Sequence, residues 1–453
     1  MLEVWSPRLF ARCDLVDDTL GSVLSPAPRP SACPGLLRIV PALDGGICRI
    51  KLACGCLEAD QAHAIGEAAS RHASGVIELT NRSNLQLRGV RTGHEAPLIA
   101  ALLAAGLGPS TPGADDVRNL LVSPAMGLDA NSEADVAAVA KAILELLQAR
   151  PAFHSLSPKF ALQLDGGERL AMLDHPHDLW LALMPGGTRL AFGLAGCPTD
   201  APLAAVPLEQ APALVEAALA LFLELAQPEQ TRMRHLLANL PKETFLDCLQ
   251  SQLAFALPRD PAVLNWRRAR TMTTAPLGIL AQRQPGLFLL GAMPTLSRLD
   301  SSQLHALAEL ARSRGDGTLR FTPWQSLMLP NVAQAHAAKA LRQLGMIGLH
   351  IDDSEPLTGL IACTGSAGCA KGLADTKADA LRLAHRLHQG TARPQVHLSG
   401  CPRSCAAAHV APLTLLARPG GRYQLYQRTA SGAGLGRLLA DSLSIDEAAD
   451  RLT

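Results

Sequence analysis

The stretch LDSSQLHALAELARSRGDGTLRFTPWQSLMLPNV, residues 299–332, repeats an earlier stretch of the same chain. It aligns without a gap on residues 57–90 at a constant offset of 242. Both copies have the pattern of an amphipathic helix followed by two short strands. We therefore infer an internal duplication of about 240 residues, a period far too long for a solenoid. Identical residues recur at Leu57/Leu299, Gln61/Gln303, His63/His305, Glu67/Glu309, Gly75/Gly317, Thr80/Thr322, Leu85/Leu327, Leu87/Leu329 and Val90/Val332.

The order of the predicted elements divides the chain into a leader and two similar halves. The leader ends in proline-rich sequence, which disfavours a regular helix or strand there. The predicted segments are a leader (1–34), a first half-domain (35–110), a first α/β domain (111–255), a second half-domain (270–350) and a second α/β domain (355–453). Hydrophobic periodicity predicts helices over 59–72, 95–105, 211–226 and 375–388, and a further helix with Ser132 as its N-cap.

Composition indicates a globular protein of more than one domain. The chain has 453 residues, of which 48% are hydrophobic and 18% charged. A net charge of +1 gives no general attraction to nucleic acid or to an anionic membrane. The most apolar run, 211–226, is interrupted by Glu216 and Glu224 and is too short to span a bilayer. We find no secretory signal, so we expect a cytoplasmic protein without nucleic-acid or membrane partners.

Four of the eleven cysteines form two closely spaced pairs near the C-terminus. Five residues separate Cys363 from Cys369, three separate Cys401 from Cys405, and 31 lie between the pairs. Thiolates are the ligands that iron–sulfur clusters select, so the spacing favours a [4Fe–4S] cluster. Zinc is the competing metal, but its structural sites use shorter C-x(2–4)-C spacings. A disulfide, or plain structural thiols, is the remaining interpretation and is less expected without secretion.

The two halves differ in the residues that could do chemistry. Only the second copy carries the cysteine pairs, and Ser123 of the first copy aligns with Cys363. The first half instead offers Arg82, Arg118 and Lys159, each of which could simply be a solvated cation at a strand end. Together they suit a ligand with several carboxylates, because arginine binds a carboxylate at two points and lysine adds a point charge. A duplicated scaffold commonly places such a ligand where its halves meet.

Residues 36–420 resemble the siroheme-dependent nitrite and sulfite reductases. The resemblance rests on the C-x5-C and C-x3-C cysteine pairs and on three short motifs, TNRSNLQL, DDVRNL and SPKF, which contain Arg82, Arg118 and Lys159. It implies an α+β fold with two ferredoxin-like half-domains and two larger α/β domains around a pseudo-two-fold axis. It also implies that the three cations are active-site residues and that the four cysteines bind the cluster.

The chain departs from the reductases at two positions. Ala161 stands where they carry a second active-site lysine, and Arg403 stands where many have asparagine. Three stretches, CPGLLRIVPALDGGICRIKL, TLRFTPWQSLMLP and CAKGLADTKADA, are more similar to the branch of precorrin-3B synthases. That branch implies an O2-dependent monooxygenase of aerobic cobalamin biosynthesis. It hydroxylates precorrin-3A at C20, and the ring A acetate closes a γ-lactone at C1.

The resemblance also implies cofactors and partners that the residues alone do not give. These are a [4Fe–4S] cluster, a mononuclear non-haem iron, and NADH as the reductant acting through an electron-donor reductase. The alternative is an assimilatory sulfite or nitrite reductase with siroheme in the cleft and small anions bound at Arg82, Arg118 and Lys159. A non-catalytic tetrapyrrole carrier is a third hypothesis, which the retained cysteines argue against.

The sequence does not place the mononuclear iron. His175 and His177, in DHPHD, offer two imidazoles beside two carboxylates, a ligand type that suits non-haem iron. A polar loop with two surface histidines is the simpler interpretation. His397 and His409 flank the second cysteine pair, and we expect them to support that loop and not to bind metal directly.

Overall fold

A computed structural model describes residues 33–270, 274–388, 390, 393–407, 411–429 and 434–453. The predicted leader lies almost entirely outside this range. The described residues form two compact units. One, here called the α/β unit, comprises 109–127 and 131–270. The other, here called the cysteine unit, comprises 33–108, 128–130 and the described residues from 274 onward. None of the helices in the described residues is both long and apolar enough to cross a membrane.

The first half-domain lies in the cysteine unit and follows the predicted order. The helix predicted over 59–72 has the predicted bounds, and the helix predicted over 95–105 ends one residue early. Aliphatic residues at alternate positions of two strands, Ile77 and Leu79 in one and Leu85 and Leu87 in the other, pack with the first helix in a shared apolar core. The elements are β1 (Val40–Ala42), β2 (Gly45–Ile50), β3 (Cys56–Glu58), α1 (Ala59–His72), β4 (Ile77–Leu79), β5 (Leu85–Val90) and α2 (Glu95–Ala104).

The α/β unit is a five-stranded sheet with helices, in the strand order β10-β9-β8-β7-β6. The three strands β6, β7 and β8 are parallel neighbours, and β8, β9 and β10 are antiparallel neighbours. The elements are β6 (Leu120–Val122), α3 (Ala137–Ala149), β7 (Leu162–Asp165), β8 (His177–Leu183), β9 (Arg189–Gly196), β10 (Ala204–Pro207), α4 (Ala211–Leu225), α5 (Met233–Leu236), α6 (Lys242–Ser251) and α7 (Pro261–Leu264).

The prediction that Ser132 caps helix α3 is wrong. The helix begins at Ala137, with Val136 as its N-cap residue. The Ser132 hydroxyl instead lies within hydrogen-bond distance of the carbonyl oxygens of Ala134 and Gly166, at 2.7 and 2.5 Å. Serine bonds to nearby backbone in turns as readily as at helix ends, so its hydroxyl stabilises the loop before the helix.

The second half-domain exchanges a strand with the first. Strand β3 pairs with β14, and strand β13 pairs with β4, so each half-domain completes the sheet of the other. Helices α1 and α8 share one apolar core. The elements are β11 (Gly278–Ala281), β12 (Leu287–Pro294), β13 (Arg298–Leu299), α8 (Ser301–Arg314), β14 (Thr318–Phe321), β15 (Leu327–Ala333), α9 (Gln334–Met346) and β16 (Leu349–His350).

The duplication extends to backbone detail. Helices α1 and α8 begin 242 residues apart, and each starts with a capping box, Glu58 with Gln61 in one and Asp300 with Gln303 in the other. Left-handed backbone also recurs at this offset: φ is 54° at Cys54 and 48° at Leu296, and 55° at Ser83 and 59° at Gln325. Such conformations are uncommon for non-glycine residues, so their repetition confirms the inferred register.

The C-terminal part of the cysteine unit repeats the topology of the α/β unit. Its sheet has the order β17-β18-β19-β20-β21, again with two parallel pairings followed by two antiparallel ones. The helix predicted over 375–388 begins one residue later than expected. The elements are β17 (Leu360–Ala362), α10 (Thr376–His388), β18 (Val396–Ser399), β19 (Leu413–Arg418), β20 (Arg422–Gln427), β21 (Arg437–Leu443) and α11 (Ile445–Leu452).

Candidate functional site

The two cysteine pairs follow adjacent parallel strands. Cys363 comes directly after β17, and Cys401 comes two residues after β18. The backbone N–H of Cys363 donates to the carbonyl oxygen of Leu398 at 3.2 Å, which extends the pairing up to the first cysteine. Parallel neighbours end at the same edge of a sheet, so both cysteine loops start from one edge. This is the edge at which open α/β sheets usually bind ligands.

Glycines bring the two cysteine loops into close contact. The N–H of Gly400 lies 3.2 Å from the Cys363 sulfur, and its carbonyl accepts from Leu373 N–H at 2.9 Å. A Cβ at Gly400 would lie 3.2 Å from Gly372 Cα and 3.4 Å from the Cys363 sulfur. The loops therefore form a cradle that a larger residue at position 400 would crowd, and the Gly400 N–H is aimed at a thiolate ligand.

Cys405 lies close enough to the other three cysteines to be affected by their charges. All four are free, so no disulfide joins them. Burial raises the pKa of Cys405, the charges of Cys401, Cys363 and Cys369 raise it further, and nearby Arg403 opposes the shift. Neighbouring thiolates that repel each other are stabilised by a cation between them, and a metal–sulfur core supplies this charge.

An arginine that sequence reasoning missed fixes the loop before Cys369. The Arg88 side chain is 4% exposed and donates to both oxygens of Asp44, at 2.7 and 2.8 Å. It also donates to the carbonyl oxygen of Gly368 at 3.1 Å. A Cβ at Gly368 would come within 2.8 Å of both side chains. The first half-domain therefore holds the cysteine loop through a bidentate, largely buried ion pair.

A second buried group of charges lies beside Cys363. Glu78 accepts from Arg298 Nε at 2.9 Å and lies 3.9 Å from the Lys377 ammonium. Lys377 donates to the carbonyl oxygens of Leu296 and Ala362, at 2.7 and 3.1 Å. Burial lowers the pKa of Lys377 to about 8, although Glu78 opposes this shift. The network joins strand β4 to the strand that carries the first cysteine.

The second cysteine loop is supported by polar side chains. Gln325 Nε2 donates to the carbonyl oxygen of Ala406 at 2.7 Å, and Gln325 Oε1 accepts from Ser297 at 2.8 Å. His397 is fully buried on β18, with Nδ1 3.4 Å from the Ser404 hydroxyl. This contact agrees with the supporting role expected for His397, whereas His409 lies outside the described residues.

The predicted basic residues divide between the two units. Arg82 lies in the cysteine unit, at the half-buried bend between β4 and β5. Arg118 and Lys159 lie in the α/β unit, where Asn119 joins their loops by donating to Pro158 O at 3.0 Å and Phe160 O at 3.1 Å. Burial lowers the pKa of Arg118, although Asp115 opposes this shift. Lys159 is exposed. Within the α/β unit, two hydrogen bonds from Asn119 therefore hold a partly buried and an exposed cation on neighbouring loops.

Ala161 lies in a fixed environment. It is 5% exposed, its N–H donates to Asp178 Oδ2 at 2.8 Å, and its carbonyl accepts from the Asp178 N–H at 2.8 Å. Arg232 donates to both Asp178 oxygens at 2.9 Å. The Asp178 carboxylate is therefore neutralised by Arg232 inside the α/β unit, and its hydrogen bond to Ala161 fixes the loop after Lys159.

The interpretation of His175 and His177 as surface histidines is wrong. Their exposed fractions are 7% and 5%, and His177 opens β8 opposite Gly196. Neither belongs to a set of three close ligand atoms within the described residues. Burial raises the pKa of Cys54 to about 11 and also raises the pKa of Cys56.

The fold is that of an internally duplicated α+β protein, with four cysteines on two loops at one edge of its C-terminal sheet. Residues 41–105 and 280–347 match the nitrite/sulfite reductase ferredoxin-like half domain, and residues 113–257 match the nitrite and sulphite reductase 4Fe-4S domain. These matches cover more than half of the chain, so it belongs to the nitrite and sulfite reductase family. The four cysteines lie outside the matched residues, in the second copy of the larger domain.

Relatives of two kinds are similar to the chain. Ferredoxin–nitrite reductase of Zea mays is 29% identical over 81% of this chain and 68% of its own length. The enzyme of Synechococcus elongatus is 28% identical over 81% of this chain and 75% of its length. Precorrin-3B synthase of a Sinorhizobium species is 26% identical over 90% of this chain and 84% of its length.

The chain spans about two thirds of the length of the plant enzymes it matches. The structure of the Mycobacterium tuberculosis NirA protein has a TM-score of 0.75 to this chain, with 21% identity over 89% of this chain and 79% of that one. This likeness supports the fold, with its two ferredoxin-like half-domains.

Proposed function

We propose that the protein is an O2-dependent monooxygenase that converts precorrin-3A to precorrin-3B. The observation that carries this proposal is Ala161, buried and bonded on both sides to Asp178, where the resembling reductases have a second lysine. Six-electron reduction of a small anion needs dense positive charge at the reacting atoms. A macrocycle with peripheral carboxylates needs only spaced cations. The match to the Sinorhizobium precorrin-3B synthase supports the same choice, because it covers 90% of this chain and 84% of that protein.

In this proposal the basic residues bind substrate carboxylates. Arg118 suits two-point binding, because its guanidinium is held beside Asp115 at 3.7 Å and its loop is fixed by Asn119. Exposed Lys159 adds a mobile point charge on the neighbouring loop. Arg82, on the bend of the first hairpin, is assigned the same role in the cysteine unit. Each residue binds and orients the substrate, and none of them supplies redox chemistry.

The cysteines Cys363, Cys369, Cys401 and Cys405 are proposed to hold a [4Fe–4S] cluster, for which the donor set and the glycine cradle fit. When bound, the cluster supplies one-electron transfer, which side chains do not provide. The chain's part is to orient the thiolates through Arg88, Gly400 and Gln325. NADH, acting through a separate electron-donor reductase, is the proposed source of electrons.

The buried histidines do not fit a mononuclear iron. His175 and His177 lack a third close ligand atom among the described residues, so we derive no step through such an iron. The stoichiometry of the reaction does not depend on where such an iron would lie. One atom of O2 enters the substrate, and the other becomes water with two electrons and two protons from the reductant.

Nitrite or sulfite reduction is the second candidate, and the similarity to ferredoxin–nitrite reductases favours it. The two candidates differ in the role of the bound tetrapyrrole. A reductase holds siroheme and reduces a small anion, whereas the synthase holds the tetrapyrrole as its substrate.

The test uses anaerobically purified protein with iron and sulfide quantified. We expect a broad iron–sulfur absorption without siroheme bands. We also expect that 18O2, precorrin-3A and a reductant give a product heavier by one labelled oxygen atom. Siroheme bands together with reduction of nitrite or sulfite would overturn the proposal in favour of the second candidate. A colourless, iron-free protein that binds the tetrapyrrole without turnover would indicate a carrier.

A further inference from the structure

Two histidines related by the duplication meet on the surface of the cysteine unit. His63 on α1 and His305 on α8 are 242 residues apart in sequence, and their rings stack with centroids 4.3 Å apart and planes 15° apart. Glu67 lies one helical turn after His63, and its Oε1 is 3.9 Å from His305 Nε2. Ligand atoms of these three residues lie within 4.8 Å of one another.

The local structure makes room for this arrangement. Gly66 lies inside α1, where glycine is less stable than alanine. A Cβ at Gly66 would lie 2.4 Å from His305 Nε2, so only glycine lets the ring lie over the helix. His305 Nε2 also lies 3.2 Å from the His63 carbonyl oxygen.

The carboxylates of the two copies are not equivalent. Glu309, the counterpart of Glu67, pairs with Arg312, which also pairs with Asp60. Glu67 pairs with Arg71 at 3.4 Å, through the oxygen that does not face His305. Both side chains of that pair are well exposed, and exposed ion pairs contribute little. Glu67 can therefore turn toward a cation between the histidines, whereas Glu309 belongs to no such set of close ligand atoms among the described residues.

We infer that His63, Glu67 and His305 form a binding site for a borderline divalent cation such as Zn²⁺. Two imidazoles and one carboxylate are a ligand set that zinc takes in proteins, with one position left for water. Exposed and half-exposed side chains can close the remaining distance by rotating their side-chain torsions. The cation would link α1 to α8, and so join the two half-domains from outside.

This site is distinct from the proposed cluster site. His63 and Glu67 lie on the outer face of α1, whose inner face packs on Leu85 and Leu87 of β5. Arg88, on the same strand, points to the other face of the sheet and contacts Gly368 of the cysteine loop. The sheet thus separates the histidine pair from the cysteine loop. The inference is independent of the proposed function.

The test is calorimetric titration of untagged, cluster-loaded protein with ZnCl2. His63→Ala and His305→Ala should each weaken zinc binding about tenfold or more, since even supporting residues cost that much at metal sites. Glu67→Gln should weaken it by a smaller factor. Gly66→Ala should weaken it by displacing the His305 ring, although the residue carries no ligand.

The chain offers two matched controls. Glu309→Gln removes the duplicated carboxylate, and His336→Ala removes an exposed histidine of α9. Both should leave the zinc affinity of the site unchanged. The inference is overturned if the wild-type protein binds no zinc beyond that taken by the double variant His63→Ala/His305→Ala. It is equally overturned if Glu309→Gln and Glu67→Gln weaken binding to the same extent.

Discussion

Replacing Arg88 with methionine should release the loop that carries Cys369. Methionine keeps the apolar stem of the side chain but removes the bonds to Asp44 and to the Gly368 carbonyl, and leaves Glu78 without the cation 3.7 Å away. Removing one partner of a buried ion pair costs about 3–5 kcal/mol. Because Asp44 is 29% exposed, we take the lower figure, about 3 kcal/mol. This corresponds to roughly a 100-fold larger open population of the loop.

The assay follows loss of iron–sulfur absorption in excess chelator under anaerobic conditions. If loop opening limits cluster release, Arg88→Met should accelerate the loss by roughly 10- to 100-fold relative to wild type. Neutralising the stranded carboxylate with Asp44→Asn should recover part of the difference, because the cost comes largely from an uncompensated charge.

Arg91→Met is the matched control, since Arg91 is an exposed arginine just beyond β5 that does not contact the cysteine loop in the described contacts. It should lose the cluster at the wild-type rate. The reasoning fails if Arg88→Met releases the cluster no faster than Arg91→Met, or if Asp44→Asn worsens the defect in the Arg88→Met background.

Four shorter predictions test the site and the fold. Cys405→Ser should abolish cluster assembly, measured as iron and sulfide per chain, and a retained cluster would contradict the ligand assignment. Arg82→Ala should weaken tetrapyrrole binding about tenfold without loss of the cluster, as measured by a spectroscopic titration; an unchanged affinity would make Arg82 structural. Gly400→Ala should lower cluster occupancy several-fold, because its Cβ would lie 3.2 Å from Gly372 Cα and push the two cysteine loops apart, whereas Gly345→Ala, whose nearest neighbour is 3.6 Å away, should not. Burial lowers the pKa of His350 in the folded protein, so unfolded chains bind the extra proton and stability falls as pH drops below about 6.5; His350→Gln should reduce the fall in melting temperature between pH 7.5 and 5.5.

Hydrophobic periodicity and the repeated stretch together predicted much of the fold. Period and capping residues placed helices α1, α2, α4 and α10 within one residue at each end. The exchange of strands β3 and β13 could not be predicted, because pairing partners depend on how the two copies pack and not on local pattern. The prediction that Ser132 caps α3 was wrong for a related reason, because a hydroxyl near a helix start has competing backbone acceptors.

Sequence reasoning reached the thiols but not the residues around them. Cysteine spacing is a local signal, whereas Arg88 and Gly368 are 280 positions apart and meet only through the fold. Arg88 lies in a strand with apolar residues on either side, a position where a buried arginine requires a partner. The sequence therefore indicates that Arg88 has a partner, but it does not identify which residue the partner is.

The two copies of the larger domain differ in more than the presence of cysteine. Ser123 follows β6 as Cys363 follows β17, but its hydroxyl donates to Leu170 O at 2.8 Å and accepts from Ala125 N–H at 3.0 Å. After β7 the chain continues with two glycines, and the last residue of the strand, Asp165, pairs with Arg268 at 2.7 Å. These bonds follow the two strands that correspond, in sheet order, to the strands before the cysteine loops of the other copy. Ser123→Cys alone should therefore bind no second cluster, because the first copy has closed its strand edge with hydrogen bonds and an ion pair.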